Sequence, residues 1–113
     1  MMTKRFFLVF SLALILNACD SNTYSELEPI VENPTYNANI KLLIDSKCVS
    51  CHKSNGYLPL LTNYNAVKAA TQNGSLLCRI KGNCDEVMPP SGRLPQAKIN
   101  MVDLWKTQGY IEQ

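Results

Sequence analysis

The chain has 113 residues, 46% of them hydrophobic, and its 11 basic and 9 acidic side chains give a formal net charge of +2. That length supports one domain and excludes two independent cores. A balance so close to neutral excludes the basic footprint of a nucleic-acid binder, so no nucleic-acid partner is expected.

The N-terminus comes first. Lys4 and Arg5 precede Phe6 to Leu16, eleven residues interrupted only by Ser11. This is the length of an export-signal core and falls short of the roughly 20 apolar residues that a membrane-spanning helix needs. The alternative, a buried helix, has no polar face to present to water. The run ends Leu16-Asn17-Ala18-Cys19, which resembles the lipobox of bacterial lipoproteins, with Asn17 departing from the more usual Ala, Ser, Thr or Val. The resemblance implies a signal peptide over 1–18, cleavage before Cys19, and a lipid anchor on the Cys19 thiol. Plain secretion with Cys19 free is the alternative. Buried acyl chains hold firmly, at about 0.8 kcal/mol per methylene. Asp20 resembles an inner-membrane retention signal, and the outer membrane remains open as a destination.

Removing residues 1–18 takes Lys4 and Arg5 with it and leaves nine basic against nine acidic residues. Strong long-range steering of partners is therefore not expected. Asp20 to Pro34 is polar, acidic and broken by Pro29 and Pro34, which reads as a flexible tether over 19–35. The folded domain is expected at 36–113.

Ile40, Leu43, Ile44 and Lys47 recur at helical spacing, so a first helix is predicted to run into Cys48-Val49-Ser50-Cys51-His52. C-x-x-C-H is the pattern of covalent c-type haem attachment. An offset of three residues puts both thiols on one side of a helical turn, as attachment to two vinyl groups requires. The next residue, His52, supplies an imidazole to the iron. Three other readings compete: a thioredoxin-type redox pair, a four-cysteine zinc site with Cys78 and Cys84, and a structural bridge beside an incidental histidine. The first lacks its βαβ setting, the second has loose spacing, and the third must ignore the position of the chain's single histidine.

A loop through Asn55-Gly56 follows, with Leu58, Leu60 and Leu61 available to cover a haem. Thr62 or Asn63 is predicted to cap a second helix carrying Tyr64, Val67 and Ala70 and ending near Asn73-Gly74. Cys78 and Cys84 bracket a segment whose Gly82-Asn83 suggests a turn. A disulfide there would contribute roughly 2–3 kcal/mol and hold the next segment in place; two unpaired thiols are the alternative.

That next segment is Val87-Met88-Pro89-Pro90-Ser91-Gly92, where proline resists helix and sheet alike. A stiff loop can hold a thioether at the iron, so Met88 is the expected second axial ligand. Met101, inside the last helical pattern, reads as core, and a five-coordinate site is the remaining option. The last helix is predicted to start with Pro95 at its first position, to bury Ile99, Val102 and Trp105, and to stop at Gly109. Trp105 reads chiefly as core, and Trp105 and Arg93 are weaker candidates for haem propionates.

Together these residues resemble the small class I cytochromes c, most closely the compact bacterial modules attached to lipoproteins or larger enzymes. The likeness covers about Tyr36 to Ile111. It rests on Cys48 to His52, Leu60 to Ala70, Met88-Pro89-Pro90-Ser91-Gly92 and Trp105 to Tyr110. The cysteine pair is extra, and Leu94 stands where a helix-capping Ser or Asp is common. The resemblance implies an all-α cytochrome c fold, three to four short helices around one haem c, with His52 and Met88 as axial ligands. It further implies a monomer in the cell envelope, on the periplasmic side, passing single electrons to redox proteins that dock transiently.

No nucleophile–base pair, paired carboxylates or phosphate loop is evident, so electron transfer rather than an enzyme is expected. A haem sensor or small-ligand binder with a labile sixth ligand is the second reading. A non-haem structural lipoprotein is the third.

Overall fold

A computed structural model describes residues 29–113. The expected signal peptide, the Cys19 lipid site and the first part of the tether lie outside the described residues. Among the described residues the regular structure is all helical, with no strand, in keeping with the all-α expectation.

The first helical segment starts earlier than the Ile40–Lys47 spacing indicates. A π-helical turn, Tyr36–Ile40, leads directly into α1, Lys41–Lys47. Thr35 explains the start: its hydroxyl accepts the Ala38 N–H at 3.2 Å, and Asn39 Oδ1 accepts the Thr35 N–H at 3.0 Å. Side chain and backbone cap one another, so exposed donors at the helix entry find partners. Packing begins before Tyr36 as well. Pro34 is fully buried, Val31 lies against the core, and the Gln108 amide donates to the Glu32 carbonyl at 3.0 Å.

Helix α2, Tyr64–Gln72, is capped by Asn63, whose side chain accepts the Ala66 N–H at 3.0 Å. Its buried face is Val67, Ala70 and Thr71. The Thr71 hydroxyl donates to the Val67 carbonyl at 2.8 Å, so a polar group without solvent has its bond. Gly74, at φ +83°, ends α2.

Helix α3, Ser75–Lys81, stands where the sequence suggested only a cysteine-bracketed segment with a turn. Leu76, Leu77 and Ile80 carry it, all buried at helical spacing. It stops at Gly82, φ +73°. There the Gly82 N–H reaches the Arg79 carbonyl at 3.1 Å and the Asn83 N–H reaches the Cys78 carbonyl at 3.0 Å, a Schellman ending.

Helix α4, Gln96–Thr107, begins one residue later than predicted. Pro95 has ψ 145°, outside the helix, and caps it instead of forming its first turn. Ile99, Val102 and Trp105 form the buried stripe, joined by Met101. Gly109, φ +86°, ends α4 with the same pair of bonds: Gly109 N–H to Lys106 and Tyr110 N–H to Trp105.

Helix α4 packs on both α3 and the π-helical turn, and α2 packs on α3. Where α4 meets the π-helical turn, Trp105 sits among Tyr36, Tyr64 and Tyr110, with ring centroids 5.0–6.3 Å away. The Tyr64 hydroxyl donates to the Tyr110 carbonyl at 2.8 Å, and Tyr36 and Asn37 donate to the Ile111 and Glu112 carbonyls. This end of the molecule is locked by rings and by bonds between distant parts of the chain.

Candidate functional site

Helix α1 ends by delivering Cys48. The Cys48 and Val49 N–H groups both reach the Ile44 carbonyl, at 2.8 and 3.1 Å. One further turn follows, in which the Cys48 carbonyl accepts from Cys51 at 3.1 Å and from His52 at 2.9 Å. Cys48 and Cys51 are thus one turn apart, and neither is in a disulfide. Cys48 packs against the core, and burial pushes its thiol up from 9.0 to about 11. Cys51 is exposed. The pair is asymmetric: one sulfur belongs to the core edge, the other to the surface.

The loop after His52 folds back onto it. Tyr57 N–H reaches the Cys51 carbonyl at 2.9 Å, and Leu61 N–H reaches the His52 carbonyl at 2.9 Å. Two residues make the fold-back feasible. Asn55 adopts φ +68°, a conformation that asparagine tolerates better than most residues. Gly56 comes so close that a Cβ there would lie 2.0 Å from the Cys51 carbonyl oxygen.

This loop brings the Pro59 carbonyl within 2.9 Å of His52 Nδ1. A carbonyl can only accept, so Nδ1 is the donor in this bond and Nε2 is the ring nitrogen left outside it. Ligating histidines characteristically make such an outer bond, which fixes tautomer and ring orientation. Beside it stand Tyr57 and Leu58, 74% and 81% exposed, with Leu60 partly so. Leu61, expected with them, belongs to the core instead.

Met88 is partly buried in the loop after α3, with its N–H on the Arg79 carbonyl at 3.2 Å. Met101 is core, 7% exposed. The sulfurs of Cys78 and Cys84 lie 2.01 Å apart, at disulfide distance. The turn bearing Cys48, Cys51 and His52 hangs from α1, and Met88 hangs from α3. The sequence spacing predicts the first support, a helix running into Cys48, and misses the second, α3.

The two propionate candidates resolve differently. Trp105 is fully buried, and its indole N–H donates to the Ile111 carbonyl at 2.8 Å, so it has no donor to offer elsewhere. Arg93 is exposed and bonded to Gln96. Three participants were missed. The Pro59 carbonyl is a backbone group with no residue-type signature. Gly56 shows its closeness only in three dimensions. Arg79 needed the recognition of α3, which Leu76, Leu77 and Ile80 between Gly74 and Gly82 could have signalled.

Comparison with protein-family models, curated proteins and solved structures finds no match to this chain.

Proposed function

We propose that this chain is a monohaem c-type cytochrome, lipid-anchored through Cys19 in the cell envelope, that transfers single electrons between transiently docked redox proteins. The observation that carries the reading is the His52 Nδ1 bond to Pro59, on an imidazole that directly follows two unbonded thiols one turn apart. The donor set suits the group: Cys48 and Cys51 would hold haem c covalently, and His52 and Met88 would ligate its iron. When bound, haem c supplies a one-electron ferric/ferrous couple.

The chain's own part is to hold and orient. Helix α1 sets the thiol register, and the Pro59 carbonyl, bonded to Nδ1, orients the ring and leaves Nε2 for the iron. Tyr57, Leu58 and Leu60 offer apolar surface suited to a porphyrin, a better match for these side chains than water. Among the described residues no helix is long and apolar enough to cross a membrane.

The test is absorption spectroscopy of protein exported by cells with working haem-attachment machinery. A c-type spectrum, a weak near-red iron–methionine band when oxidised, and no carbon monoxide binding when reduced are expected. Met88→Ala should lose the band and gain carbon monoxide binding. A colourless product, or wild-type protein that binds carbon monoxide at once, refutes electron transfer through a His52/Met88 site.

A further inference from the structure

Helix α3 does more than fill the core. Its last carbonyls have no intrahelical partner, and the Met88 loop provides partners at both of its stems. Ahead of the prolines, the Met88 N–H reaches the Arg79 carbonyl; beyond them, the Leu94 N–H reaches the Ile80 carbonyl at 3.4 Å. The Arg79 side chain grips the same loop a second time. Its Nη1 donates to the Glu86 carbonyl at 3.3 Å and to Glu86 Oε2 at 3.0 Å. One residue earlier, Cys78 is tied to Cys84, with Cα atoms 5.4 Å apart. Helix α3 packs on α4 and is braced there through Lys81 to Asp103 at 3.3 Å, and its Leu76, Leu77 and Ile80 are buried in the core.

The geometry points to Arg79 and the Cys78–Cys84 pair as positioning residues for Met88: a strap that fixes the thioether and so sets how firmly it holds the sixth position. The inference rests on the reading of Met88 as an iron ligand. Neither Arg79 nor the cysteine pair touches the iron in this account. They act by denying the loop the open conformations in which Met88 would drift away. The covalent tie is the stronger element, because it acts whatever the solvent does. The Arg79–Glu86 pair is partly exposed, with side chains 39% and 72% accessible, and is correspondingly weaker.

The experiment titrates the oxidised haem-bearing protein with imidazole, which competes for the sixth position, and follows loss of the iron–methionine band. Cys78→Ala/Cys84→Ala is expected to lose half the band at about tenfold lower imidazole, since a short covalent loop is opened. Arg79→Met is expected to shift the midpoint about threefold, the scale of an exposed charge-assisted contact. Arg79→Lys restores part of that shift. Amide exchange at Met88 accelerates in the same order, a readout independent of ligand exchange at the iron. If the wild type shows the band and both variants keep its imidazole midpoint, the strap inference falls alone, even if the variants melt earlier. If the wild type has no band, the Met88 ligand assignment falls and the inference with it.

Discussion

The two ends of the first helical segment are organised by different forces. At the Tyr36 end, packed rings do most of the work, with backbone bonds beside them. Trp105 is enclosed by three tyrosine rings, its indole N–H is bonded, and the chain termini of the domain are stitched together by Tyr36, Asn37 and Gln108. At the Cys48 end, the backbone does it. Cys51, Tyr57 and Leu58 are exposed, and order comes from main-chain bonds and the His52–Pro59 contact. Burial stabilises the first region; in the second Cys48 and Leu61 reach the core, and main-chain geometry sets the rest. Stability and function are therefore largely separable by mutation, because most groups that hold the fold are not those that would hold a cofactor. Cys48, packed on the core edge, is the exception.

The sharpest way to break this comparison is at the aromatic end. Trp105→Ala should lower unfolding free energy by about 3–5 kcal/mol, read by urea denaturation, because it empties the centre of the ring cluster. The paired change Cys48→Ser/Cys51→Ser should abolish haem attachment while leaving the haem-free fold far closer to wild type.

Next is the asymmetry within the thiol pair. In haem-free protein, Cys48 should alkylate up to about a hundredfold more slowly than a thiol at its ordinary value of 9.0, since burial raises it to about 11. Peptide mapping after iodoacetamide labelling near pH 8 measures this against exposed Cys51. The same shift has a stability consequence. The folded state favours the neutral thiol, so its contribution is full below pH 9 and is lost as pH rises through about 11.

Gly56→Ala comes third. Its Cβ would press on the Cys51 carbonyl, so a loss of about 1–3 kcal/mol is expected, together with poorer haem attachment, from local distortion of the turn. Smallest is Tyr64→Phe, which removes one hydroxyl bond to Tyr110. About 1 kcal/mol of stability should go, with haem content unchanged. Equal effects of these last two changes on haem loading would erase the distinction between the ends.

How far the sequence reveals this molecule follows the same division. Helical periodicity marks Val67 with Ala70 and Ile99 with Val102 and Trp105, and these positions are buried. Asn63 and Gly109 mark helix ends because capping and left-handed turns depend on residue chemistry. Helix α3 went unseen because Gly74 and the cysteine pair suggested punctuation, while Leu76, Leu77 and Ile80 occupy barely two turns. Pro95 shows the limit of a positional preference: proline suits both the cap and the first turn, and only backbone angles decide. The cysteines and His52 are visible as a motif. The Pro59 carbonyl, Gly56 and Arg79 are not, since what they contribute comes from chain proximity across a folded loop.

The most direct test of the central claim is the intact mass of the chain exported with full haem-maturation machinery. One added haem is expected on the wild type and none on Cys48→Ser/Cys51→Ser. A wild-type chain that reaches the envelope folded and carries no haem would contradict the account.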